Sequence, residues 1–100
     1  MGNEIAALDV PGNVKFIDAV AFRGNDIATL TLHDGIEVIG GSAFARNNLT
    51  EIVIPATVTT INNGAFADNP ALATVTIEGA DPQRFNANWT AIGFPADQMP

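Results

Sequence analysis

The sequence predicts a mainly β solenoid, in which short parallel strands stack one per coil and a short helical cap closes the C-terminal end. Three observations carry this reading. The chain repeats itself every 22 residues, through about three and a half units. Each unit contains a short alternating segment rich in β-branched residues, such as TLTL, EIVI and TVTI, the pattern of a half-buried strand. Strands this far apart cannot be joined by tight hairpins, so successive copies must run parallel, one per coil.

Residues 5–26, IAALDVPGNVKFIDAVAFRGND, form the first unit and residues 27–48 the second. Residues 49–71 form the third, one residue longer because of Pro70 and Ala71, and residues 72–81 begin a fourth. Such internal self-similarity is the mark of a repeat architecture. The register is tight. Ile5, Ile27, Leu49 and Leu72 start the units, followed by Leu8, Leu30, Ile52 and Val75, then by Val10, Leu32, Ile54 and Ile77. Val14, Ile36 and Val58 align, as do Ile17, Ile39 and Ile61. The pairs Ala21-Phe22, Ala43-Phe44 and Ala65-Phe66 are identical, and so are Asn25, Asn47 and Asn69.

The elements of a unit follow in order. The alternating segment is the first strand. VKFI, IEVI and VTTI suggest a second short strand or extended side, and DAVAF, GSAF and NGAF a turn or single helical turn that leads to the next coil. Equivalent apolar residues should stack, so Phe22, Phe44 and Phe66 form a ladder through the core. One Asn per coil can hydrogen-bond the backbone at a bend, and Asn25, Asn47 and Asn69 should form a second ladder. Residues 82–100 read as the cap of a single domain. Asp81-Pro82 predicts a helix start, with Asp81 as N-cap and Pro82 at the first helical position. Phe85 and Trp89 then share one face and, with Ile92 and Phe94, fold over the last coil. At the other end little chain precedes the first strand, so the N-terminal edge is expected to be exposed, covered by a second chain, or cut from a longer array.

Composition narrows the function. The chain is 47% hydrophobic and 15% charged, which suits a folded protein. Its formal net charge is −7, and its four bases, Lys15, Arg23, Arg46 and Arg84, are scattered. Without a basic patch, nucleic-acid binding is not expected, and an anionic membrane surface is disfavoured. No apolar run approaches the ~18 residues of a membrane span, so no membrane insertion is expected. The N-terminus has neither the basic nor the long apolar region of a secretory signal. Cysteine is absent, which excludes disulfides and thiolate metal sites.

The one histidine, in His33-Asp34-Gly35, raises the question of a metal or catalytic site. These residues align with Pro11-Gly12-Asn13 and Pro55-Ala56-Thr57, the corner after each strand. Turn residues stand there for backbone reasons, and the other two copies carry no ionisable group. The GGSAF segment at 40–44 departs from a nucleophile elbow because Phe44 replaces the last Gly. No glycine-rich segment has phosphate-loop spacing with a following Lys, and no acidic run matches a calcium loop. Asn48-Leu49-Thr50 and Asn88-Trp89-Thr90 match the glycosylation pattern, which matters only in a eukaryotic secretory context. No catalytic, cofactor-binding or metal residue is expected, and no enzymatic activity.

The unit can be written Asn-x-(x)-Leu/Ile-x-x-Leu/Ile/Val-x-Ile/Leu-Pro, then Val-x-x-Ile-x-x-x-Ala-Phe, best seen in LTEIVIPATVTTINNGAFADN. This resembles the BspA-type leucine-rich repeat of bacterial surface proteins, over residues 5–80. Members often carry Cys near the end of the unit, where this chain has Asn25, Asn47 and Asn69. The resemblance implies a right-handed leucine-rich-repeat solenoid, a cell-surface or secreted setting, and protein binding or adhesion. Alternation along the strands places Ala7, Asp9, Thr29, Thr31, Glu51, Val53, Thr74 and Thr76 on the exposed side of the sheet, the candidate protein-binding face. The alternative is a structural, self-associating repeat fragment of a larger surface protein, pairing through its N-terminal edge.

Overall fold

The computed structural model describes residues 6–100. Ile5 and the four residues before it lie outside that range. The strands are β1 (Ala7–Val10), β2 (Phe16–Ile17), β3 (Thr29–Leu32), β4 (Val38–Ile39), β5 (Glu51–Ile54), β6 (Thr60–Ile61) and β7 (Thr74–Ile77), followed by a 3-10 turn (Asn86–Asn88), one short α-helix, α1 (Trp89–Ile92), and a second 3-10 turn (Ala96–Gln98). Each of the three full coils therefore holds a four-residue strand and a two-residue strand, the partial fourth only β7, and the repeat spacing becomes strand register. Ala7 pairs with Thr29 and Asp9 with Thr31, Ile17 with Ile39, Ile39 with Ile61 and Ile52 with Val75, every pair parallel.

The strand that carries the exposed face does not form one sheet. β2, β4 and β6 make a continuous three-stranded ladder, but the longer strands divide into β1–β3 and β5–β7 with no ladder between β3 and β5. The coils stay joined on either side of this seam. The Asn48 N–H donates to the Ile27 carbonyl at 2.9 Å, and the Thr59 N–H to the Glu37 carbonyl at 2.9 Å. At the corner, the Thr57 hydroxyl bridges the coils, accepting from the Gly35 N–H at 2.8 Å and donating to the Ile36 carbonyl at 2.8 Å.

The Ala-Phe segments are successive turns, not a helical turn. The Ala21 and Arg23 N–H groups close local turns onto Asp18 and Val20, whereas those of Val20, Phe22 and Gly24 reach Gly41, Ala43 and Ala45 of the next coil. A continuing helix would instead turn successive N–H groups back to carbonyls of its own coil. Left-handed residues at two places in each coil make the alternation possible. Val20, Ser42 and Gly64 have φ of 57°, 56° and 72°, and Gly24, Arg46 and Asp68 have 71°, 58° and 58°. A β-branched residue in this region is strained, so Val20 is the costliest of the six.

Phe22, Phe44 and Phe66 stack at centroid distances of 5.5 and 5.6 Å. Phe94 continues the stack 5.2 Å beyond Phe66. The polar ladder runs beside it. Asn47 Oδ1 accepts from the Asn25 and Ile27 N–H groups at 2.9 and 3.0 Å. Its Nδ2 donates to the carbonyls of Phe22, Phe44 and Ala45. Asn69 repeats the pattern, accepting from the Leu49 N–H and donating to Phe44, Phe66 and Ala67. All three ladder Asn side chains are buried. Asn25 Oδ1 has no partner among the described residues.

The C-terminal segment covers the last coil, but its helix starts at Trp89 rather than at Pro82. Asp81 does accept from a following amide, the Gln83 N–H at 3.1 Å, yet only a local turn results. Asn86 and Asn88 disfavour an α-helix and stand in a single 3-10 turn that leads into α1, and the Arg84 side chain is drawn away to bind carbonyls of the last coil and of the cap's own turn. Its guanidinium donates to the carbonyls of Pro55, Val58, Glu78 and Asp81 at 2.7–3.0 Å and lies 4.8 Å over the Phe85 ring. The cap imitates a coil. The Ala91 and Ile92 carbonyls accept from the Gly64 and Phe66 N–H groups, as a next coil would. Gly93, at φ 108°, ends α1 where a Cβ would sit 2.5 Å from the Ala67 nitrogen, so only glycine allows the close approach. Trp89 is buried, and its Nε1 donates to the Pro95 carbonyl at 2.7 Å. It packs the cap and offers nothing to a ligand.

Candidate protein-interaction face

The outward residues of the four long strands form one side of the molecule. Asp9, Thr29, Thr31, Glu51, Val53, Thr74 and Thr76 are all exposed, as is Ala7, while their neighbours Val10, Leu30, Leu32, Ile52, Ile54, Val75 and Ile77 are buried. The parallel register sets these residues in rows, Ala7 and Asp9 beside Thr29 and Thr31, then Glu51 and Val53 beside Thr74 and Thr76. At the β3–β5 seam the face opens into a cleft of about 260 Å3, lined by Ala28–Leu32 and by Glu51–Val53.

The charges of the face are Asp9 and Glu51. The bases lie elsewhere. Lys15 pairs with Glu37 at 3.5 Å and Arg46 with Asp68 at 3.8 Å, each a contact between neighbouring coils of the kind worth about 0–1 kcal/mol. Arg84 belongs to the cap, and Arg23 to the turn after Phe22.

His33 stands at its corner, where its Nε2 lies 2.7 Å from Asp9 Oδ1 of the preceding coil. The two exposed side chains clip the first coil to the second. Asp34, the sequence neighbour, takes no part in the pair. The signal was available: Asp9 sits beside Thr31 in the 22-residue register, two residues from His33. Among the described residues no group of three or more His, Cys, Asp or Glu side chains could hold a metal ion. Among them, too, no helix is long and apolar enough to cross a membrane.

The N-terminal end differs from the capped end. Phe22 is only partly buried and Phe16 is 62% exposed. Beside them is an apolar pocket of about 290 Å3 that reaches Leu8, Val14 and Ile17.

Comparison with known proteins accords with this architecture. The family described as BspA type Leucine rich repeat region (6 copies) matches residues 1–88. The chain belongs to this family. Among solved structures, this BspA-type repeat is similar to a leucine rich cell surface protein from Faecalibacterium prausnitzii A2-165, with a TM-score of 0.75 and 32% sequence identity. The similarity covers 79% of this chain and 21% of that one, so the chain spans about a fifth of the length of that structure. No curated protein matches. The family and this likeness are consistent with a protein-interaction module and a surface location.

Proposed function

We propose that this BspA-type repeat is a non-enzymatic protein-binding or adhesion module of a cell-surface or secreted protein. Its binding face is the exposed side of β1, β3, β5 and β7, with Asp9, Thr29, Thr31, Glu51, Val53, Thr74 and Thr76 in contact with the partner. The observation that carries the reading is the arrangement of that side: two pairs of parallel strands, β1–β3 and β5–β7, each present mostly polar, exposed residues in register, while their core side is apolar. Family membership and the cell-surface protein it resembles support the setting. No aromatic side chain lies on the face to serve as a single dominant anchor, so binding is weak per module and gains from avidity.

The test is capture on immobilised protein from matrix proteins and lysate, with Thr31→Arg as the matched variant. Thr31 is exposed, so the substitution leaves the core intact. A partner held by the native protein and lost by the variant supports the face. Equal capture by both assigns binding to another surface.

The alternative is a structural, self-associating repeat. The N-terminal apolar pocket and the exposed Phe16 favour it. A mass that rises with concentration in sedimentation, and returns to the monomer in Phe16→Ser, supports that reading.

A further inference from the structure

The seam in the exposed face has a chemistry of its own. In a parallel ladder, successive residues turn their N–H and C=O groups alternately to one neighbour and the other. The Thr29 N–H donates toward β1 and the Ile54 carbonyl accepts from beyond β7. The alternation therefore turns the Leu30 backbone groups, and those of Glu51 and Val53, into the cleft. Elsewhere in the stack such groups join coil to coil, but β3 and β5 form no ladder, so here they face a cleft of about 260 Å3. Small-molecule sites occupy roughly 300–1,000 Å3. The cleft is at the small end of that range, with room for one extended side chain.

We propose that it anchors an arginine side chain of the protein partner; the inference rests on the proposed binding face and names what that face grips. The acceptors are the strand carbonyls, the Thr29 and Thr31 hydroxyls and the Glu51 carboxylate, and Glu51 forms no ion pair among the described residues. A guanidinium brings five donors in a planar fork and can span several such acceptors, which the point charge of Lys cannot. The apolar atoms of Leu30 and Val53 suit its methylene stem. Charge agrees: the face carries Asp9 and Glu51, the four bases lie off it, and the chain has a net charge of −7.

The experiment is a titration of the 15N-labelled chain with the blocked peptide Gly-Gly-Arg-Gly-Gly, and with its Lys and Leu counterparts, followed through backbone amide shifts. The expected result is shifts concentrated at Thr29–Leu32 and Glu51–Val53 with the arginine peptide only. Glu51→Gln should weaken binding about tenfold, the loss of one charge-assisted hydrogen bond. Thr31→Arg should abolish it by placing the chain's own guanidinium at the cleft, and the spectra themselves report whether either variant is folded. No shift at the cleft, or equal shifts with the leucine or lysine peptide, overturns the proposal. If the arginine peptide moves only Asp9, Thr74 and Thr76, the cleft reading falls and the face reading stands. If a captured partner is also indifferent to Thr31→Arg, the face reading falls as well.

Discussion

Asn47→Leu separates the ladder of buried amides from the apolar packing around it. The native side chain accepts from two buried N–H groups, those of Asn25 and Ile27, at 2.9 and 3.0 Å, and donates to three carbonyls. Leucine keeps the branched skeleton but is bulkier, an overpacking cost shared with the same substitution at Asn25, so what distinguishes the two positions is the hydrogen bonding. Each buried N–H left without an acceptor costs about 1–3 kcal/mol; two of them give about 2–6 kcal/mol, against a total stability of roughly 5–15 kcal/mol for a domain of this size. Asn25 supplies the internal control. Its Oδ1 accepts nothing among the described residues, so Asn25→Leu orphans no described N–H and should cost at least about 2 kcal/mol less. Urea unfolding followed by Trp89 fluorescence measures both, since Trp89 is buried in the cap. Equal costs at the two positions would refute the assignment of the ladder as a set of coil-to-coil bonds.

Phe44 is fully buried between two stacked rings, and Phe44→Ala should lower stability by about 3–5 kcal/mol, read as a drop in the urea midpoint at unchanged slope. Val20→Gly should raise Tm in calorimetry by relieving about 1 kcal/mol of strain at φ 57°; a lower Tm would show that this left-handed residue is not strained. Arg84→Met keeps an unbranched apolar stem but removes the guanidinium, with its four hydrogen bonds to carbonyls and its place over the Phe85 ring. It should cost about 1.5–3 kcal/mol, the net worth of one charged hydrogen bond where water replaces the exposed ones, and speed hydrogen exchange at the Gly64 and Phe66 amides ahead of the rest.

What could be read from the chain was whatever repeats. A strict 22-residue spacing carries the strand register, the Phe stack, the Asn ladder and the identity of the outward residues, because stacking places residue i over residue i+22. Features that break the period were hidden. Phe94 completes the stack from 28 positions beyond Phe66, where no repeat points. Arg84 lies in the cap, and nothing local tells that its donors reach back to Pro55 and Val58. The seam leaves no mark in the pattern, since TLTL and EIVI alternate as cleanly as the paired strands do, and alternation reports which side is buried but not the spacing between coils. The helix start at Asp81-Pro82 failed for a related reason. A capping signal is local, whereas the chain from Gln83 to Asn88 is shaped by the coil beneath it.

The fourth ring of the Phe stack comes from the cap and not from a repeat, and the cap touches only the last coil and a half. Termination is thereby uncoupled from length. A gene that duplicates or deletes a coil upstream changes the span of the binding face by one strand and leaves the Phe66–Phe94 contact, the Arg84 clasp and the buried Trp89 as they are. The array can be lengthened or shortened in whole coils under selection for reach, with no new solution required for closing its end.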